Sequence, residues 1–113
     1  MNIKEYYIKT NSNYDEALAR LMNDALILRF VHKLFDAHYD IKIKEAKDNK
    51  ELFEAAHALK GVSGNLALSS LYHSSSILCD KVRDTNTEVD ASKEINDVLD
   101  IYHHLEDLFK DVE

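Results

Sequence analysis

The sequence ELFEAAHALKGVSGNL, residues 51–66, has the pattern of an amphipathic helix. At about 100° per residue its apolar side chains share one side of an α-helix. This apolar face comprises Leu52, Ala55, Ala56, Leu59, Val62, Ser63 and Leu66. His57 projects about 160° away from Leu59 by the same arithmetic. We therefore predict a helix with one face in a core and a histidine on the opposite, solvent-facing side.

The rest of the chain also has a helical pattern. It contains no proline and only two glycines, so the usual residues of hairpins and tight turns are missing. Apolar residues recur at spacings of three and four, as expected for helices that each bury one stripe against a partner. The stripes are Ile95, Val98, Tyr102, Leu105, Phe109 and Val112; Leu68, Leu71, Ser75, Leu78 and Val82; and a looser one of Ile27, Phe30, Val31, Leu34 and Ile41.

Candidate caps and turns mark where these helices begin. Asn49 is a candidate N-cap for a helix that starts near Lys50, and Ser12 or Asn13 for an earlier segment. The polar residues 84–87 predict a turn into the last helix, and short connections favour antiparallel neighbours. We predict a single all-α domain over residues 1–113, an antiparallel up-and-down four-helix bundle with one or two short N-terminal helices as a lid.

Composition excludes several classes of function. A chain of 113 residues is one ordinary domain, and 21 acidic against 14 basic residues argue against a nucleic-acid partner. The most apolar stretch, residues 25–35, is interrupted by charges and is shorter than the roughly 20 residues that span a bilayer, so no membrane contact is expected. Cys79 is the single cysteine, and no charged leader precedes an apolar segment, so we expect a cytoplasmic location.

The exposed face around His57 carries Phe53, Lys60 and both glycines of the protein, Gly61 and Gly64. A glycine within a helix costs about 1 kcal/mol relative to alanine, so we attribute the pair to clearing a flat approach to the imidazole. Phe53 would offer an apolar contact to a docking partner. A neutral imidazole nitrogen can attack a phosphoryl group, and Lys60 is placed to neutralise the incoming negative charge.

Each of these residues also has a structural interpretation. His57 and Lys60 can be an ordinary solvated face, Phe53 can be peripheral core, and Gly61 and Gly64 can mark close helix packing or a helix break. Proteins of two other classes must also be considered. A helical adaptor would bind its partner without carrying phosphate. A metal-binding bundle would need clustered ligands.

Six histidines suggest the metal-binding class, but their spacing argues against it. His103 and His104 are adjacent and therefore point about 100° apart on a helix, so they cannot easily share one ion. Cys79 shares a helix with Leu78 and Val82 and has no evident base, so a small buried thiol is the preferred interpretation.

The string HALKGVSGNL, residues 57–66, resembles the His-x-Leu-Lys-Gly signature of histidine-phosphotransfer (HPt) domains. Residues 14–34 resemble the opening segment of that family. The resemblance implies that His57 is phosphorylated, that Lys60 stabilises the phosphate and that Gly61 lets a receiver domain approach. The chain departs from the pattern at Ala67, where the family usually has glycine, and at Cys79, where glutamate is common.

The same resemblance implies a mechanism and partners. The His57 Nε2 atom would attack the aspartyl phosphate of a response-regulator receiver domain and later pass the group to a second one, with a hybrid sensor histidine kinase upstream. The receiver would supply Mg²⁺, so no cofactor of the chain's own is expected. The sequence has no nucleotide-binding motif, which indicates a carrier rather than an enzyme. We expect a monomer, although Phe53 or the tyrosines Tyr6, Tyr7 and Tyr14 are candidate dimer contacts.

Overall fold

The computed structural model describes residues 1–83 and 89–113. Every regular element in these two ranges is a helix, which confirms the all-α fold. In chain order the helices are α1 (Ile3–Lys9), α2 (Tyr14–Leu21), α3 (Asp24–Asp36), α4 (Tyr39–Lys44), α5 (Asn49–Asn65), α6 (Ser69–Val82) and α7 (Ser92–Phe109). The polar turn predicted at residues 84–87 lies outside the described residues.

Helices α5 and α6 form an antiparallel pair. Near the start of α5, the ring of Phe53 lies 5.3 Å from the guanidinium carbon of Arg83, which follows the end of α6. Near the end of α5, Gly64 lies against Tyr72 in the first half of α6. This reversal is the one that a short connection between two packed helices favours.

Helices α3 and α4 together occupy another position of the bundle, beside α7. Phe35 packs edge-on against Tyr102 at 5.3 Å between ring centroids, and His32 packs against Phe109 at 4.7 Å, so α3 runs antiparallel to α7. One element later, the Asp40 carboxylate bonds the His103 ring at 3.0 Å. The predicted bundle therefore consists of α3–α4, α5, α6 and α7.

The stripes predicted for α5, α6 and α7 form the core. Their fully buried members include Ala56 and Leu59 on α5, Leu71 and Leu78 on α6, and Val98 and Tyr102 on α7.

The stripe predicted across α3 and α4 is wrong at Phe30 and Ile41, which are 37% and 45% exposed. The chain leaves helical geometry at His38, whose φ of 55° is left-handed, so Ile41 does not continue the phase of α3.

The predicted caps are confirmed at one helix and corrected at another. Asn13 caps α2, where its side chain accepts a hydrogen bond from the Glu16 N–H at 3.0 Å. At α5 the cap is Asp48 rather than Asn49, because the extended backbone at Asp48 places its carboxylate 2.8 Å from the Glu51 N–H. A negative charge is also favourable at this end of the helix dipole.

Helices α1 and α2 cover one end of the bundle, as expected of a lid. The Tyr6 hydroxyl donates to the Leu105 carbonyl of α7 at 2.8 Å, and the Tyr7 hydroxyl donates to the Leu66 carbonyl after α5 at 2.7 Å. Both tyrosines are fully buried. They are therefore core residues and not the dimer contacts considered from the sequence.

The turn between α5 and α6 follows a Schellman pattern. The Ala67 N–H donates to the Gly64 carbonyl at 3.1 Å, and the Leu68 N–H donates to the Ser63 carbonyl at 3.0 Å. This geometry requires a left-handed residue at position 67, and Ala67 has a φ of 54°. A residue with a Cβ is strained there, which explains in physical terms why glycine would suit this position better.

Ala67→Gly should raise the free energy of unfolding by about 1 kcal/mol, because relief of the left-handed strain outweighs the loss of one methyl group. The same change at Ala58, an exposed position within α5, should lower it by about 1 kcal/mol. Urea denaturation of the two variants measures both effects. Equal destabilisation by both substitutions would contradict the strain at Ala67.

Burial raises the pKa of Tyr6, Tyr7 and Tyr102 well above the usual value for a phenol. Each tyrosine therefore stays protonated in the folded chain at a pH where it ionises in the unfolded chain. Stability should be constant with respect to these groups below about pH 10 and should fall above it, by up to about 1.4 kcal/mol per pH unit for each tyrosine. Urea titrations between pH 8 and pH 11 measure this slope. Tyr6→Phe should make it shallower, and an unchanged slope would refute the contribution of Tyr6.

Candidate functional site

His57 lies on the exposed side of α5, as the helical wheel predicts. Ala56 and Leu59, its neighbours on the opposite face, have no exposed surface. The imidazole therefore stands on the solvent side of a helix that is anchored by its other face.

The His57 ring stacks on Phe53, one helical turn earlier. The two rings are 5.4 Å apart between centroids and within 17° of parallel. Phe53 is half-buried against the core, and the Arg83 guanidinium lies near it. The expectation of a freely exposed Phe53 is therefore wrong and the peripheral-core interpretation is right, because the ring is shared between the core, His57 and Arg83. Its role in docking stays a prediction.

A cleft of about 460 Å³ opens beside His57. It brings together four of the five residues predicted for the site, and it adds side chains from α2 and α6. The predicted members are His57, Lys60, Gly61 and Gly64; the additional ones include Glu16, Arg20, Tyr72 and His73. Phe53 does not line this cleft and supports His57 from the other direction along α5.

Arg20 is a charged residue of the cleft that was not predicted from the sequence. Its guanidinium donates a hydrogen bond to the Gly64 carbonyl and pairs with the Glu16 carboxylate one turn earlier on α2. The spacing of Glu16 and Arg20 is a visible signal for a helical ion pair. Nothing in that spacing indicates that α2 lies beside the end of α5.

The two glycines of α5 have different surroundings. A Cβ atom on Gly61 would meet nothing within 4 Å, which agrees with an open approach to His57. A Cβ atom on Gly64 would lie 2.9 Å from Cδ1 of Tyr72. From the sequence, both glycines were explained by the need to clear a docking face. This explanation is wrong for Gly64, because the missing side chain makes room for the Tyr72 ring. A docking role for Gly64 remains a prediction.

The charge beside His57 comes from Lys60, which is partly exposed in the cleft. Cys79 lies within electrostatic reach of this lysine and is fully buried, and burial raises the pKa of its thiol. This confirms the interpretation of Cys79 as a small buried thiol rather than a reactive one.

Between residues 1–83 and 89–113, no three His, Cys, Asp or Glu side chains lie close enough to hold a metal ion together. His103 instead bonds Asp40, while its neighbour His104 is exposed. In the same two ranges, no helix combines the length and the apolar character needed to cross a bilayer.

Alanine at the two glycines should have unequal effects on stability. Gly61→Ala should raise the free energy of unfolding by about 0.5 to 1 kcal/mol, because it improves helix propensity and meets no neighbour. Gly64→Ala should be less stable than Gly61→Ala by about 1 kcal/mol, because the new methyl group overlaps the Tyr72 ring, which is exposed and must shift. Thermal or urea denaturation compares the two.

Tyr72→Ala provides the control for this comparison. In that background the overlap is gone, so the difference between the two alanine variants should shrink. An undiminished difference would show that Tyr72 is not the cause.

Comparison with protein-family models gives a match over nearly the whole chain. The model of the Hpt domain matches residues 5–113 and so includes every residue of the cleft. Comparison with curated proteins and with solved structures gives no match.

Proposed function

Because the chain belongs to the Hpt domain family, we propose that it is a phosphorelay carrier in which His57 accepts a phosphoryl group from a receiver-domain aspartate and passes it to another receiver domain. Hpt domains are histidine-phosphotransfer modules of two-component signalling; they interact with receiver domains and are not kinases. In this proposal the first receiver belongs to a hybrid sensor histidine kinase. The relay takes place in the cytoplasm, where a lone thiol such as Cys79 stays reduced.

The observation that carries the proposal is the exposed imidazole of His57 in a cleft with Lys60 and Gly61. Phosphoryl transfer depends mainly on positioning and on stabilising the charge of the phosphoryl oxygens. Stacking on Phe53 restricts the orientation of the ring. The open space at Gly61 leaves room for a second protein to bring its aspartate in line with the imidazole.

The proposed transfer step needs no cofactor bound to this chain. The lone pair of His57 Nε2 attacks phosphorus, a P–N bond forms, and the P–O bond to the receiver aspartate breaks to release a free carboxylate. Transfer to the second receiver is the same displacement in reverse. The receiver contributes its acidic pocket and Mg²⁺, while Lys60 offsets the negative charge on the phosphohistidine.

His57→Gln should abolish phosphorylation by a phosphorylated receiver domain in the presence of Mg²⁺. The fold should persist, because an exposed side chain contributes little to stability. Intact-mass spectrometry at neutral pH measures the gain of one phosphoryl group, and brief acidification should remove it. Circular dichroism checks that the variant remains helical.

His73→Gln is the matched control, since His73 is also exposed and lines the same cleft. It should keep the ability to gain one phosphoryl group. If several receivers bind the wild-type chain and none labels it, the chain is instead an adaptor that retains the fold without the relay. Labelling that survives His57→Gln would assign the phosphoryl group to another residue.

A further inference from the structure

Arg20 reaches the His57 cleft from α2, a helix outside the four-helix bundle. Its guanidinium is held by the carbonyl of Gly64 and the carboxylate of Glu16. The side chains of Arg20 and Glu16 are nevertheless 44% and 43% exposed, so both charged groups face solvent. An exposed ion pair contributes little to stability. The pair can therefore open without a large penalty to the fold.

Because the Arg20 guanidinium is bound to the Gly64 carbonyl, it lies well along α5 from the proposed phosphorylation site at His57. Gly64 follows His57 by seven positions on α5, which corresponds to about 10 Å along the helix axis. A phosphoryl group on His57 is too small to bridge that separation. The charge of Arg20 therefore lies where a protein covering His57 would make contact, and not where the transferred group itself lies.

The signs of the charges in the cleft point to an acidic partner surface. The whole chain carries a formal net charge of −7, yet among the described residues that line the cleft the cations Arg20 and Lys60 stand against one carboxylate, that of Glu16. Complementary charges across an interface accelerate association and fix the orientation of the partners. Glu16 already pairs with Arg20 and so partly neutralises the guanidinium that an acidic group on the partner would bind.

We propose that Arg20 is a docking residue that exchanges its bond to Glu16 for an acidic side chain on the receiver domain. This inference rests on the proposed phosphocarrier function and identifies a determinant of its partner recognition. Arg20 orients the partner and leaves the displacement at phosphorus to His57 and Lys60. Glu16 acts as an internal competitor that weakens docking of any surface without a suitably placed carboxylate.

Two phosphoryl donors separate docking from chemistry. Phosphoramidate is a small donor without a protein surface: its P–N bond breaks as the bond to His57 Nε2 forms, and ammonia leaves. A phosphorylated receiver domain with Mg²⁺, taken as the one that labels wild type fastest, reacts only after docking. Each donor is tested at low and high salt with wild type, Arg20→Gln, Glu16→Gln and Lys93→Gln. The Lys93→Gln variant is the control, because it removes another exposed ion pair between residues four apart, on α7.

We expect Arg20→Gln to lower kcat/KM for the receiver about fivefold at low salt and to change phosphoramidate labelling less than twofold. Glu16→Gln should raise kcat/KM for the receiver about twofold, because the guanidinium is released and a repulsive charge is removed. Both effects should diminish at high salt, since screening weakens interactions between exposed charges. Lys93→Gln should match wild type with both donors.

The experiment distinguishes a failure of the phosphocarrier proposal from a failure of the docking role of Arg20. If neither donor labels wild type, the carrier function fails and the role of Arg20 falls with it. If wild type is labelled and Arg20→Gln accepts phosphate from the receiver at the wild-type rate, only the docking role is overturned. Equal losses with both donors, or a slower receiver reaction for Glu16→Gln as well, would show that Arg20 acts only by holding α2 in place and would also overturn the docking role.

Discussion

The arrangement of the whole molecule depends on the carbonyl groups at the end of α5. The last carbonyls of a helix have no partners within it and must find donors elsewhere. Here the N-terminal segment donates hydrogen bonds to three carbonyls at or just beyond this end of α5: the Tyr7 hydroxyl to Leu66, the Asn13 N–H to Ala67, and the Arg20 guanidinium to Gly64, which also accepts from the Ala67 N–H. The lid therefore packs at this end of the bundle and not at the other. Helix α2 forms one wall of the cleft beside His57. The hydrogen bonds to the carbonyls at the end of α5 therefore also shape the site.

The features that could be predicted from the sequence are those set by the helical repeat. The outward position of His57 follows from the spacing of apolar residues around it, and the buried stripes of α6 and α7 follow in the same way. A single helix does not reveal its neighbours, however. The ring of Tyr72 fills the space beside Gly64, and Arg20 arrives from a distant part of the chain. Both contacts depend on tertiary packing, which the local pattern does not contain.

Local backbone geometry accounts for the remaining differences. His38 adopts a left-handed conformation that is uncommon for residues with a side chain, so no glycine marks the break between α3 and α4. Asp48 and Asn49 are both good capping residues, and the choice between them depends on the φ and ψ angles of one residue. At α2 the sequence left Ser12 and Asn13 as alternative caps, and the structure has Asn13 in that role.

The burial of Cys79 has a practical consequence for following the motions of this protein. Its thiol lies between α6 and the rest of the core with no exposed surface, and it is the single cysteine in the chain. A thiol reagent can reach it only when the helices around it separate. The rate of its modification in native buffer therefore reports how often the core beneath α5 opens. Cys79 can therefore serve as an intrinsic probe of bundle opening, and no further label has to be introduced.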